Sequence, residues 1–171
     1  MNNDIIELLS QGDKRTVGSV DRVLKILETQ PGLVKVVLEC LSSADEVLAM
    51  HAADCLEKYS RTQPENLQGH VSKLMKLMQV KTQQELRWHL AQILPRLELS
   101  SSDMETAILV WGNDFYNSKS SIVRTASLQA MADIVTKYPL AQSRFNDMLG
   151  FALEQGTAAM KARAKHLATR T

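Results

Sequence analysis

Aromatic residues, glycines, prolines and cysteines are all scarce in this chain of 171 residues, and each shortage excludes a class of structure. Phe, Trp and Tyr together make up 5% of the residues, which argues against β-sheets, where aromatic and β-branched side chains are enriched. Seven glycines and four prolines leave little room for long loops. Cys40 and Cys55 stand in apolar helical contexts without paired ligands, which excludes a disulfide framework and favours buried free thiols in a reducing cytosol.

Neither a strong charge nor a long apolar run is present. The formal net charge is +1, so a generally basic, nucleic-acid-binding composition is absent. The opening Met-Asn-Asn-Asp lacks the basic and apolar regions of a signal peptide. No apolar stretch approaches the roughly 20 residues that a membrane-spanning helix needs. The composition therefore favours a cytoplasmic protein without a membrane partner.

What the chain does have is a nine-residue pattern that recurs four times. It occupies residues 48–56, 86–94, 123–131 and 160–168, with starts 37 or 38 residues apart. Small or apolar residues recur within it at spacings of three and four, as on one stripe of a helix. A period of this length is typical of helical repeat proteins.

Helix boundaries between these patterns are marked by prolines and by hydroxyl residues. Pro31, Pro64 and Pro139 each fit the first turn of a helix, where a missing N–H costs nothing. Four capping boxes are predicted, at Ser43–Glu46, Thr62–Glu65, Thr82–Glu85 and Ser102–Glu105. The predicted helices are 3–10, 16–29 with Val17 near its start, 31–42, 44–60, 64–79, 82–98, 103–116, 119–137, 140–156 and 157–170.

Paired helices of this length resemble the HEAT repeat, and the best matches are 121–132 and 85–94. The resemblance implies an all-α fold, a right-handed α–α superhelix (solenoid) of about four to five helix pairs in a single domain, 1–171. The expected repeat units are 1–29, 31–60, 64–98, 103–137 and 140–170. An armadillo repeat would need a third helix in each unit, and a tetratricopeptide array has a shorter period of its own. HEAT proteins often pair an Asp before the second helix with its Arg, but Lys81 and Ser118 stand there in this chain.

Members of the HEAT family are mostly scaffolds and adaptors that bind partners on a concave surface lined by the second helices. Position two of the pattern is Ala49, Arg87, Arg124 and Lys161, so stacking would align three cations in one column. Two interpretations remain open: a basic strip for acidic or phosphate-rich ligands, or an ordinary solvated face. The last helix adds further basic residues without any acid: Arg163, Lys165, His166 and Arg170.

Trp88 follows Arg87 in the pattern, either as an exposed binding anchor or packed against the next repeat. The sequence thus predicts a non-enzymatic scaffold that binds a protein or peptide partner. Its predicted contact residues are Arg87, Trp88, Arg124, Lys161, Gln92 and Gln129.

The alternative is a nucleic-acid-binding HEAT-like protein. Trp111 with Asp114, Phe115 and Tyr116 resembles the pairing of aromatic and acid in HEAT-like alkylpurine DNA glycosylases. The competing interpretation is a core aromatic cluster beside a surface acid. A third alternative is a structural subunit whose repeat ends stack into an oligomer.

Cofactors and catalysis have little support in the sequence. His51 and Cys55 are four residues apart but would need two further ligands to hold a metal, and His89 has Ile93 at the same spacing. The chain has no glycine-rich phosphate loop, no nucleophile elbow and no convincing acid–base pair. The sequence therefore predicts no cofactor, no metal and no catalytic residue.

Overall fold

A computed structural model describes residues 2–16 and 18–169, and across those ranges the chain is helical with no strand, which confirms the all-α prediction. Val17 and Arg170, both named in the sequence predictions, lie outside the described residues. The α-helices are α1 Asn2–Ser10, α2 Val20–Thr29, α3 Val34–Cys40, α4 Glu46–Tyr59, α5 Glu65–Gln68, α6 Val71–Val80, α7 Gln84–Ile93, α8 Ser101–Asn117, α9 Ser121–Val135, α10 Gln142–Gln155 and α11 Ala158–Ala168. Three 3₁₀ turns accompany them, at Pro31–Leu33, Leu94–Arg96 and Pro139–Ala141.

The chain divides into two compact units, unit 1 (Met1–Leu97) and unit 2 (Glu98–Thr171). In unit 1, α3 packs against α4 and α6 against α7, and the second members of these pairs, α4 and α7, lie side by side. Helices α1 and α2 also pack against α4. Small buried residues on α4, such as Ala52 and Ala53, let these neighbouring helices approach closely.

Unit 2 consists of two helix pairs, α8 with α9 and α10 with α11. The second helices α9 and α11 pack together, and α10 also contacts both α8 and α9. Three aromatic side chains, Trp111, Phe115 and Phe145, are almost fully buried in its core. Ala130 of α9 and Ala164 of α11 are fully buried as well, as the close approach of neighbouring second helices requires.

The prolines lie where the sequence places them. Pro31 and Pro139 each open a 3₁₀ turn that leads directly into α3 or α10, and Pro64 is the N-cap residue of α5. Pro95 has a different effect that was not predicted. It lacks the N–H that would continue the α-helical ladder, so α7 ends at Ile93 and the predicted helix 82–98 finishes in a 3₁₀ turn.

Two other predicted helices are shorter or divided. The helix predicted over 64–79 breaks at Gly69 and His70 into α5 and α6, since glycine is a weak helix former. The helix predicted over 16–29 begins only at Val20. Before it, Gly12 and Gly18 adopt positive φ angles of 92° and 52°, which turn the chain where a side chain would be strained.

The predicted capping boxes are wrong in position. The side chain of Asp45 caps α4, and the Ser43 hydroxyl accepts a hydrogen bond from the Asp45 N–H instead. Ser100 caps α8 two residues earlier than predicted, and its hydroxyl donates to the Asp103 carboxylate over 2.6 Å. The N-cap residues of α5 and α7 form no side-chain cap hydrogen bond.

Within the described residues, no helix combines the length and the apolar character that crossing a membrane requires.

Candidate functional site

The two arginines of the predicted basic column cap the preceding helix. Arg87 of α7 donates from Nη1 to the carbonyl oxygens of Met78 at 3.0 Å and Lys81 at 2.8 Å, where α6 ends. The last carbonyls of a helix lack intrahelical partners and carry partial negative charge, so a guanidinium satisfies both needs.

Arg124 repeats this arrangement in unit 2. Its Nε donates to the Phe115 carbonyl oxygen over 2.6 Å near the end of α8. The guanidinium carbon also lies 5.8 Å from the ring centroids of both Phe115 and Phe151, within the range of cation–π attraction. From the sequence, the Arg124 side chain was expected to face solvent or to bind an external ligand. In the structure it contacts a backbone carbonyl and two aromatic rings.

Lys161 is half-buried on α11 and carries no such helix-capping bond among the described residues. Two residues further on, Arg163 donates to the side-chain oxygen of Gln129 on α9 over 3.1 Å. The amide nitrogen of Gln129 in turn donates to Asp133 over 2.6 Å. These three residues form a polar chain, Arg163–Gln129–Asp133, that joins the two second helices of unit 2 on the outside of their contact.

Trp88 and Gln92 lie on one stripe of α7, four residues apart, and both are half-buried. The Trp88 ring stands edge-on to His89 with centroids 5.2 Å apart, and its indole nitrogen has no hydrogen-bond partner among the described residues. Trp88 is therefore partly packed and partly accessible. This differs from both sequence interpretations, a fully exposed binding anchor and a ring packed against the next repeat.

His89 beside it is buried and lies in unit 1 near two carboxylates. Burial lowers the pKa of its imidazole from 6.5 to about 4, against the opposing attraction of Asp54 and Glu57. The ring is consequently neutral at physiological pH, and its role is packing.

The Trp111 cluster is part of the core of unit 2. Trp111 is 1% exposed and Phe115 is fully buried, so neither ring can stack on an external base. Asp114 is also buried, which differs from the surface acid that the competing interpretation expected. Tyr116, at the end of the cluster, is 42% exposed and packs against Phe115 and Phe151.

A buried ionic cluster in unit 1 was missed in the sequence. The carboxylate of Glu57, 2% exposed, accepts hydrogen bonds from Arg61, in the turn after α4, and from Arg96, both at 2.7 Å from the terminal guanidinium nitrogens. Arg96 also binds the Glu57 carbonyl and the Ser60 hydroxyl. Burial alone would raise the pKa of Glu57, but the hydrogen bonds and charges of the two arginines outweigh it and lower the pKa.

His51 also has a structural role that its sequence context did not indicate. Its Nδ1 lies 2.8 Å from the Leu9 carbonyl oxygen and its Nε2 lies 2.7 Å from that of Thr16. Carbonyl oxygens only accept, so the imidazole is the donor wherever a hydrogen bond forms at either contact. His51 thereby attaches α1 and the following loop to α4, and nothing in this geometry brings Cys55 into a metal site.

Metal ligands do not gather in the described part of the chain: no group of three or more His, Cys, Asp or Glu residues is placed to hold an ion. Cys40 and Cys55 are both buried free thiols, and burial raises the pKa of Cys55 to about 12. A thiol in that environment is unreactive.

An open groove lies between the first helices of unit 2, with a volume of about 540 Å³. Leu109 of α8 and Leu140, just before α10, line it and are 61% and 81% exposed. Such exposure is unusual for leucine, and the two lie together rather than scattered. No local sequence pattern marks this groove, because Leu109 and Leu140 are 31 positions apart in the chain.

Comparison with known proteins yields a structural likeness. No protein-family model matches the sequence, and no curated protein matches it either. Among solved structures, the chain is similar to a crystal structure of an engineered protein from the Northeast Structural Genomics Consortium, with a TM-score of 0.67 and 18% identity. The match covers 98% of this chain and 78% of the other. At that identity the likeness concerns the fold alone, an all-helical arrangement.

Proposed function

We propose that this chain is a non-enzymatic interaction module of HEAT-like helix pairs, wound as a right-handed superhelix, which binds a protein partner along its second helices. The support is the packing within each unit, where second helices lie side by side: α4 with α7, and α9 with α11. Within each unit, residues on the two second helices that face away from the core then form neighbouring positions of one surface.

The polar chain Arg163–Gln129–Asp133 is the observation that carries this proposal. The 3.1 Å hydrogen bond from Arg163 to Gln129 joins α11 to α9, and the 2.6 Å bond from Gln129 to Asp133 lies within α9. All three side chains are exposed or half-buried. Polar side chains held in place before binding lose less conformational entropy when a partner arrives.

The predicted contact residues fall into two groups, according to whether their side chains bind the chain's own backbone or remain accessible. Arg87 and Arg124 bind backbone carbonyls, so their main contribution is to hold their helices in position. Direct contacts to the partner come from the residues whose side chains remain accessible: Trp88, Gln92, Gln129 and Lys161.

Site-specific photo-cross-linking tests this division. A photoreactive residue at position 92 or 129 is expected to capture a partner that the same residue at exposed Lys76 or Glu154 does not. The captured protein is then purified and titrated against Trp88→Ala and Gln129→Ala, each expected to weaken binding about tenfold or more, as truncation at an interface centre does. Equal capture at all four positions, or unchanged affinity in both variants, rejects this binding surface.

Nucleic acid is the second candidate, favoured by the exposed cations Arg163 and Lys165 on α11, a helix without a single carboxylate. A helix of this kind could neutralise backbone phosphates. Fluorescence anisotropy with duplex DNA distinguishes the candidates: affinity that falls steeply with salt and is lost in Lys161→Glu with Lys165→Glu favours nucleic acid. Salt-independent or absent binding leaves the protein partner as the proposal.

A further inference from the structure

The groove between α8 and α10 has a definite direction, because the two helices run parallel. A side chain at Gly112 of α8 would lie 3.4 Å from the Arg144 guanidinium of α10. Further along both helices, the rings of Tyr116 and Phe151 are 5.4 Å apart. Increasing residue numbers on one helix therefore meet increasing numbers on the other.

This register places the two exposed leucines at one level across the groove. Leu109 precedes Gly112 by three residues, and Leu140 precedes Arg144 by four. Because each helical residue advances about 1.5 Å, both leucines lie roughly 5 Å before the Gly112–Arg144 contact. They form one apolar pair in the middle of the groove.

Carboxylates mark both ends of the groove. Glu105 lies one turn before Leu109 on α8, and Asp147 lies about one turn beyond Arg144 on α10, so the two levels are roughly 15 Å apart. Both acids line the groove. Neither they nor Arg144 hydrogen-bond or ion-pair with any residue that the structure describes.

The charges and dimensions define what fits. The lining carries two unpaired carboxylates and one guanidinium, so its net charge is negative. A length of about 15 Å matches nearly three turns of an α-helix, and exposed leucines at mid-length match apolar residues on one face of such a helix. Basic residues at both ends of that helix would meet Glu105 and Asp147.

We propose that the α8–α10 groove docks an amphipathic helix from a partner protein, with apolar residues against Leu109 and Leu140 and a basic residue at each end. This surface is formed by first helices, so it is separate from the second-helix surface proposed above. Arg144 lies against α8 at Gly112, where an added Cβ would be in ordinary van der Waals contact with its side chain.

The probe for the test is a fluorescein-labelled helical peptide of about 14 residues in an Ala/Gln background, a length of roughly 21 Å. It carries two central leucines one turn apart and a lysine near each end. Two matched peptides replace the leucines with serine or the lysines with glutamate. Anisotropy titrations are expected to give saturable binding of the Leu/Lys peptide and at least tenfold weaker binding of both matched peptides.

Variants of the full chain locate the binding. The double variant Leu109→Asp with Leu140→Asp is expected to bind the Leu/Lys peptide at least tenfold more weakly than the wild-type chain does. Ile122→Asp on α9, at a position also exposed (53%) but outside the groove, is expected to change nothing. Glu105→Lys with Asp147→Lys is expected to reverse the preference, so that the Leu/Glu peptide binds more tightly. Circular dichroism checks that every variant keeps its helical content.

Several outcomes overturn the proposal. One is that the Leu/Lys peptide shows no saturable binding. Another is that Ile122→Asp weakens peptide binding as much as Leu109→Asp with Leu140→Asp does. A charge preference that the double lysine variant does not reverse rejects the role of the two acids. A dimer in sedimentation equilibrium that Leu109→Asp with Leu140→Asp dissociates would show instead that a second copy covers the groove. None of these results bears on cross-linking at positions 92 and 129, so the second-helix proposal stands or falls separately.

Discussion

Arg124 donates a hydrogen bond over 2.6 Å to the carbonyl oxygen of Phe115, nine residues earlier. Arg87, at the same position of the repeated pattern, donates to the carbonyl of Met78, also nine residues earlier, over 3.0 Å. Each arginine thus reaches back from a second helix across the turn to the end of its first helix. Where the second pattern position holds an arginine, that side chain links the two helices of its pair.

We expect Arg124→Gln to destabilise unit 2 by about 1–3 kcal/mol, because a charged hydrogen bond contributes about 1.5–3 kcal/mol and a cation–π contact about 0.5–1. The measurement is urea denaturation followed by circular dichroism. Lys161→Gln, at the same pattern position but without a capping bond among the described residues, is the matched control and should stay within about 0.5 kcal/mol of wild type. Equal effects in the two variants would show that the Arg124–Phe115 bond does not stabilise the pair.

The Glu57 cluster predicts an unequal pair of effects. Arg96→Met is expected to lower the free energy of unfolding by about 2–3 kcal/mol, because it removes the bonds to the Glu57 carboxylate, the Glu57 carbonyl and Ser60. Arg61→Met is expected to lower the free energy of unfolding by about 1 kcal/mol. Arg61 is 59% exposed, and the Glu57 carboxylate would still be paired with Arg96. Urea midpoints of both variants give the order. A larger loss in Arg61→Met would contradict the assignment of Arg96 as the main partner.

The helices were predictable because their signals are local. Apolar spacing located each of the main helical segments, and the positions of Pro31, Pro64 and Pro139 follow from the geometry of a residue without an N–H. Cap residues were not predictable in the same way, since a hydroxyl three residues before a carboxylate also arises without capping, as at Ser43. The break at Gly69 depends on a small difference in helix propensity that tertiary packing decides.

The roles of charged residues were harder to predict, because a sequence shows a cation but not its acceptor. Arg87 and Arg124 bind backbone carbonyls, which every residue carries, so no residue type marks the target. Arg96 lies 39 residues after Glu57, close to one repeat period, and that spacing was a usable signal for the buried cluster. The groove at Leu109 and Leu140 had no such signal, since exposure depends on the packing of two helices.

Gly18, in the loop before α2, and Gly150, inside α10, predict opposite effects of substitution by alanine. Gly18→Ala is expected to destabilise unit 1 by about 1–2 kcal/mol, because a side chain is strained at φ 52° and its Cβ would lie 2.5 Å from the Gln11 carbonyl oxygen. Gly150→Ala, inside α10 with open space around the new Cβ, is expected to stabilise unit 2 by about 0.5–1 kcal/mol. Thermal denaturation compares them. A neutral Gly18→Ala would contradict the left-handed turn.

His89 predicts a loss of stability in mild acid. Its pKa is about 4 in the folded chain and ordinarily 6.5, so below pH 6.5 the unfolded chain binds a proton that the folded chain does not. The contribution of His89 to the free energy of unfolding is therefore complete above pH 6.5. It decreases as the pH drops toward 4, by up to about 3 kcal/mol. Urea denaturation at intervals between pH 7.5 and about 5.5 measures the slope, above the range where most carboxylates titrate.

Replacing His89 separates this effect from other titrations. His89→Gln cannot take up a proton, so its stability is expected to fall less than that of wild type across the same pH range, even though the substitution lowers stability at neutral pH through lost packing. His166→Gln, at an exposed position of unit 2, controls for the loss of a histidine and is expected to keep the wild-type slope. Parallel pH profiles for wild type and His89→Gln would show that His89 takes up its proton equally in both states, contrary to its burial.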